Sequence, residues 1–364
     1  MDYKRLISLD AFRGFTIASM ILVNYPGTWQ HVYPPLLHVD WHGITPTDLI
    51  FPFFLFIVGV AIAYAYTKRI ASGAPMRDLY IKLITRSLKI FAVGIFLNLY
   101  PYFNFADLRV AGVLQRIAVV FLICGFIFLK TTWKTQLIIG IVILIGYWLA
   151  MTLIPTPGFD KPMLEPGKNL AAWFDSKFLP GRMWQETWDP EGILSTLPSL
   201  VTTISGMLAG VFLLSNRSWE RKVIYLMVTG FLLTSAGAMW HYVFPINKNI
   251  WTSSFVLFTS GMALMTLGSM IFAVDILGYK KWTRFGVIYG SNAISVYVLA
   301  WILSYFFYRM PIGELSLNRH FVELFANNLG MAPKFVSMTY ALLYVGITFI
   351  PAYILYRKKI FIKL

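Results

Sequence analysis

The chain reads as an all-α polytopic integral membrane protein, and two features of its composition predict this. Of 364 residues, 58% are apolar and only 13% are charged, against about 25% charged in an average soluble domain. The apolar residues also gather into windows of about 20, the length a helix needs to cross a bilayer, and longer than a buried strand or core helix requires.

Ten windows bounded by Pro, Gly or charge are the expected spans. The first, 9–25, follows Lys4 and Arg5, closes at Pro26, and is expected as a retained helix because it carries Asp10, Arg13 and Asn24. Span 46–67 opens at Pro46 and ends at Lys68, and 79–100 ends before Pro101. Windows 110–129 and 135–154 are closed by Lys130 and Pro155. Span 193–214 starts after Asp189-Pro190-Glu191-Gly192, where the proline stops any preceding helix and the acids suit a positive helix start. Windows 222–244, 251–274, 283–307 and 335–356 complete the set, the last followed by Arg357, Lys358 and Lys359. Residues 1–364 are read as one transmembrane domain with three long outer segments, 26–45, 155–192 and 308–334.

An even number of spans puts both ends of the chain on one side. Of 31 Lys and Arg, 21 fall with the ends and the even loops and 10 with the odd loops. This asymmetry makes both termini cytoplasmic. The formal charge of +15 is therefore a topology signal and points to no nucleic-acid partner; the partner it implies is the lipid bilayer. Acidic residues lean outward, so the outer face suits a cationic or hydroxyl-rich ligand. One cysteine, Cys124, excludes a disulfide framework within the chain. No internal repeat is evident, which weakens a transporter reading.

Polar groups in and beside the spans need reasons. Asp10 and Arg13, three residues apart, share a helix face and read either as an anchoring ion pair or as a holder of an anionic ligand. Arg86 and Lys89 read as snorkelling cations or as a phosphate patch. Arg116, at the outer start of the fourth span, is a cation expected to face a cavity. The densest cluster is Asn24–Asp48, with His31, His38, Asp40, Trp41, His42 and Asp48. Imidazoles there read as a general base or as belt residues at the interface. No metal is expected, because the Pro and Gly around His38 and His42 argue against a helical ligand pair. Asn247, Lys248 and Asn249 form a donor cluster before the eighth span, readable as capping and snorkelling or as ligand donors. Ser291 and Asn292 are expected inside the ninth helix as interhelical hydrogen bonds.

Six stretches together resemble one family: SLDAFRGFTIASMILVNYPG (8–27), LHVDWHGITPTDLIFPFFLFIVG (37–59), GVLQRIAVV (112–120), WDPEGILSTLPS (188–199), FPINKNIWTSSF (244–255) and GSNAISVYVLAW (290–301). They are similar to the transmembrane heparan-α-glucosaminide N-acetyltransferase family and its shorter bacterial amino-sugar relatives. The LDxxRG element is shared with other membrane acyltransferases; the string from His38 to Pro52 is far more specific. The resemblance implies transfer of acetyl from cytosolic acetyl-CoA to the amine of a glucosamine on the far side, in a bacterial inner membrane, with the active site towards the periplasm. It implies His38 as the catalytic histidine with Asn24 beside it. Homodimers occur in the family. His42 stands where the heparan enzyme has Asn, and a free amino sugar or an envelope fragment becomes the expected acceptor.

The residue chemistry agrees with this expectation. An ammonium must lose a proton before it can attack a thioester, which an imidazole can accept, and the oxyanion needs a fixed donor, for which Asn24 is the candidate. Direct transfer is favoured over an acetyl-histidine. Arg13, Arg86 and Lys89, or alternatively Arg116 and Lys248, are expected to hold the polyanionic donor. Asp40, Asp107, Asp189, Glu191 and Asn247 are expected to bind the sugar, and Asp48 to do so or to orient an imidazole or a helix end. Competing readings are an amino-sugar permease without chemistry and an O-acyltransferase of envelope polysaccharide.

Overall fold

The computed structural model describes residues 6–362; the expected inner-face cations Lys4, Arg5 and Lys363 lie outside them. The helices are α1 (Ile7–Asn24), α2 (Ile50–Ala71), α3 (Met76–Leu99), α4 (Val113–Lys130), α5 (Trp133–Leu153), α6 (Leu170–Phe178), α7 (Thr196–Leu213), α8 (Trp219–Trp240), α9 (Ser253–Met270), α10 (Arg284–Ser291), α11 (Ala293–Ser304), α12 (Leu317–Val322) and α13 (Pro333–Arg357). A hairpin of two-residue strands, β1 (Pro311–Ile312) and β2 (Leu315–Ser316), interrupts them. Eight of the described helices are long and apolar enough to cross a membrane, nine if the bent pair α10–α11 is one span. The tenth expected span is α3, a 24-residue helix that carries Arg77, Asp78, Lys82, Arg86 and Lys89. The protein is thus an all-α, multi-pass membrane protein.

Local chemistry places the helix ends. Pro26 follows the end of α1, and Asp10 sits in its first turn, where a negative charge is favoured. Thr45 and Asp48 form a capping box around the turn Pro46–Leu49 that leads into α2. Asn169 caps α6 by accepting the Ala172 N–H at 2.9 Å.

The chain divides into two compact units. The larger comprises 40–44 and 52–276. In it α8 packs on α9, α3 on α4 and α5 on α7, while α7 also meets α4 and α9. Small residues allow close approach: a Cβ on Gly206 would lie 2.0 Å from the Phe56 carbonyl oxygen. Hydroxyls tie the helices together, as in Ser253 Oγ donating to the Leu144 carbonyl at 2.7 Å. Tyr147, Met151, Ala171, Phe244 and Ile250 form a buried apolar cluster with Trp41 and Leu164 packed against it.

The smaller unit comprises 6–39, 45–51 and 277–362 among the described residues. Here α1 packs along α10 and also meets α11 and α13. The expectation of one continuous ninth helix is corrected: α10 and α11 meet at 81°. Asn292 breaks the helix at φ −132°. Its side chain instead holds the C-terminal segment, donating to the Ile360 carbonyl at 3.1 Å and accepting the Ile362 N–H at 2.8 Å. Ser291 Oγ donates within its own helix, to Ile288.

Candidate active site

In the smaller unit, His38 and Asp48 form a dyad. Pro34–Leu36 makes a short turn before His38, and the capping box fixes Asp48 ten residues on. His38 Nδ1 lies 2.7 Å from Asp48 Oδ1. The Asp48 side chain is 1% exposed and that of His38 44%. The other carboxylate oxygen accepts the Val39 N–H at 3.2 Å and the Thr45 N–H at 3.0 Å, and lies 2.9 Å from the Thr45 hydroxyl, whose single proton is shared with the Leu37 carbonyl at 2.7 Å. With two backbone N–H groups donating to one oxygen, the carboxylate of Asp48 acts as an acceptor, and His38 donates to it from Nδ1. The basic lone pair of the ring is then on Nε2, on a side chain that reaches solvent. Asp48, expected among the sugar ligands or as an orienting group, is buried with both oxygens accepting hydrogen bonds, one from His38 and the other at the turn before α2.

Asn24 ends α1 in the same unit and is exposed. One of its amide protons goes to the Met20 carbonyl at 2.9 Å, leaving the chemistry of the second for another acceptor. Arg13, expected at the donor site, makes a 3.3 Å ion pair with Asp10 and donates to the Gly290 carbonyl at 3.4 Å. It thereby ties α1 to α10.

The larger unit holds the remaining expected residues. Asp189 is buried and takes a bidentate pair from Arg109, at 2.7 Å from Nε and 2.6 Å from Nη2. It also accepts the N–H groups of Trp184 and Glu191. Glu191 shares the same Nη2, and the guanidinium lies 5.0 Å from the Trp184 ring centre. Burial by itself would lower the Arg109 pKa, but the bonds to Asp189 and the charge of Glu191 outweigh it and raise the pKa. Asp189 and Glu191, expected as sugar ligands, are thus bound to a cation that had no assigned role. No local signal in the sequence reports this pairing, since Arg109 lies 80 residues before Asp189.

Arg116 is 2% exposed. Its Nη2 donates to the Gly192 carbonyl at 3.1 Å and to the Ser195 hydroxyl, and the group sits 5.2 Å from the Trp251 ring centre. Its Nε and Nη1 have no hydrogen-bond partner among the described residues, so three N–H donors of a buried cation remain available to an anion or a carbonyl. Asp175 on α6 supports the same segment by accepting the Ile193 N–H at 2.8 Å. Burial raises its pKa to about 6, opposed by that bond and by the Arg116 charge.

His42 lies in this unit with Asn247, whose Nδ2 is 3.3 Å from His42 Nδ1. Asp40 is exposed and accepts, through its carbonyl, from Asn249 at 3.4 Å. Asp107 pairs with Arg182 at 3.1 Å on the surface, where such pairs contribute little. Arg86 is exposed and stacks 5.0 Å from the Phe121 ring centre, and Lys89 is exposed one turn away. Lys248 is partly buried. Among the described residues no three His, Cys, Asp or Glu side chains gather as a metal site.

The profile of the family described as "Heparan-alpha-glucosaminide N-acetyltransferase, catalytic" matches residues 5–223. The heparan-alpha-glucosaminide N-acetyltransferase of Homo sapiens is 28% identical over 421 aligned positions, covering 99% of this chain and 60% of that protein. The Mus musculus protein of the same name is 28% identical over 423, covering 99% and 61%. The chain thus spans about three fifths of the length of these relatives. With the matched segment running from before α1 into α8 and containing the His38–Asp48 dyad, the chain belongs to the heparan-α-glucosaminide N-acetyltransferase catalytic family.

Proposed function

We propose that this protein is a transmembrane N-acetyltransferase that moves acetyl from cytosolic acetyl-CoA to the amine of glucosamine or a related amino sugar on the outer side of a bacterial inner membrane. The observation that carries this reading is the dyad: a buried carboxylate that fixes the His38 tautomer and leaves Nε2 as a base on a solvent-reaching side chain. Family membership supports it. The basic residues concentrated at the ends and even loops support a cytosolic donor side and an outer His38.

Bound acetyl-CoA supplies the activated acyl carbon. His38 Nε2 takes a proton from the sugar ammonium, and the freed amine lone pair forms the C–N bond as the C–S bond breaks. The same Nε2 then returns its proton to the departing sulfur, and the acylated nitrogen, which still carries one proton more than an amide holds, gives it to solvent, so the dyad ends as it began and one proton is released. Asp48 stabilises the imidazolium between these two transfers. Asn24 is the candidate donor to the oxyanion through its second amide proton, a contribution of about 2.7–4 kcal/mol where one such donor has been removed.

A polyanionic nucleotide cannot dissolve in a hydrocarbon core about 30 Å thick, so protein must line its route. Arg116 fits the donor best, because two of its buried nitrogens, Nε and Nη1, have no partner among the described residues. Arg86 and Lys89, exposed on the inner half of α3, suit phosphates. Asp40, which is exposed, suits the sugar amine.

The test is purified protein with acetyl-labelled acetyl-CoA and glucosamine. Labelled N-acetylglucosamine is expected from the wild type and its loss in His38→Ala. Saturable sugar uptake that survives His38→Ala, with no labelled product, would overturn the reading in favour of a permease. Label appearing on an acceptor whose amine is blocked would overturn it in favour of O-acylation.

A further inference from the structure

His42 stands four residues beyond His38 in the chain, yet its hydrogen bonds give it the opposite chemistry. Asn247 is fully buried in the larger unit. Its Oδ1 accepts the Ile250 N–H at 3.1 Å, and its own N–H is bonded to the Thr252 hydroxyl at 3.0 Å. The amide therefore has one orientation, with Nδ2 directed at His42 Nδ1. An amide NH2 can only donate, so Nδ1 must accept, and the proton of the neutral ring sits on Nε2. His241 in the same unit is set the same way, its Nδ1 accepting the Ile246 N–H at 2.9 Å.

Three further features keep His42 neutral and in place. Burial lowers its pKa, and the neighbouring His241 lowers it further, against an opposing effect of Glu165. The segment 40–44 is pinned by the Gly43 N–H to the Ile246 carbonyl at 2.8 Å. It is pinned also by Trp41 Nε1–H to the Leu164 carbonyl at 2.8 Å. The Trp41 ring stands edge to face with Trp188, centroids 5.0 Å apart, and both indoles are partly exposed. Fixed donors beside exposed aromatic rings are what a sugar needs, since hydroxyls require oriented hydrogen bonds and the C–H face of a pyranose requires an apolar wall.

We propose that His42 is a specificity residue for the acceptor: its Nε2–H donates to an oxygen of the amino sugar, with Asn247 as the positioning residue that fixes the tautomer and Trp41 and Trp188 as the apolar wall. The inference rests on the amino-sugar reading above and deepens it. Asn247, expected as a direct ligand, acts through His42.

The test uses the full chain in detergent, without acetyl-CoA, so that turnover plays no part. Calorimetric binding of glucosamine is expected to weaken about 5- to 10-fold in His42→Ala, the loss of one neutral hydrogen bond, and to stay within about twofold in His42→Gln, whose side-chain amide can donate from the Nε2 position. Nitrogen-15 spectra of histidine-labelled wild type are expected to show neutral His42 protonated at Nε2, identified by its loss in His42→Gln. The inference is overturned by a proton on Nδ1 of neutral His42, by His42→Gln binding as weakly as His42→Ala, or by wild type that binds no glucosamine. Wild type that binds glucosamine with this pattern but forms no N-acetylglucosamine from acetyl-CoA would instead remove the acetyltransferase reading and leave the donor role standing.

Discussion

At the residue scale the account turns on which ring nitrogen of His38 holds its proton. Asp48→Asn replaces an obligate acceptor by a group that can donate to Nδ1, which would move the proton to Nε2 and remove the base. The expected result is a fall in kcat on the order of 10²–10⁴-fold with little change in the KM for glucosamine. Thermal unfolding of the same variant reads the capping role separately, at a cost of about 1 kcal/mol. A kcat within a few-fold of wild type would show that the dyad does not set the tautomer. His38 was legible in the sequence through the string that runs to Pro52. Asp48 was legible only as one of three roles, because a carboxylate three residues after Thr45 is equally a capping group, and the structure uses it as both cap and partner. Arg109 was not legible, since its partners Asp189 and Glu191 lie 80 and 82 residues away and no local pattern reports such a pairing.

Among the elements, the segment from Asp189 to Thr196 joins the loop after α6 to α7 and supplies the carbonyl and hydroxyl that Arg116 binds. Asp175 holds this segment from α6, and the burial of its carboxyl, which pushes the pKa up to about 6, makes the stability of the fold depend on pH. The folded state favours the neutral acid, so this contribution is complete below the ordinary carboxylate range and is lost as pH rises through about 6. The expected size is on the order of 2–3 kcal/mol. Wild type in detergent should thus lose unfolding temperature between about pH 4 and about pH 7 by a component that Asp175→Asn lacks. Equal slopes in the two proteins would contradict it. Eight spans among the described residues were legible because each is an apolar run closed by Pro, Gly or charge, whereas α3 carries five charged residues along its length. The break at Asn292 was hidden for another reason: the run is apolar beyond the Gly290-Ser291-Asn292 triplet, and the groups the Asn292 side chain bonds, Ile360 and Ile362, lie about 70 positions on.

For the whole molecule, hydropathy and charge asymmetry were enough to read a multi-pass helical protein, since a bilayer leaves few architectures open. The division into two compact units was not legible, because the chain leaves the smaller unit at 40–44, returns at 45–51 and ends there from 277 onward; nothing in composition changes at those points. Sidedness is the central claim at this scale: donor on one face, acceptor on the other, one imidazole serving both. Proteoliposomes with a single protein orientation and labelled acetyl-CoA confined to the side of the chain termini, glucosamine on the opposite side, measure it directly. The account predicts labelled N-acetylglucosamine on the glucosamine side with wild type and none with His38→Ala. Product formed only when both substrates share one compartment, or formed equally by His38→Ala, would contradict it.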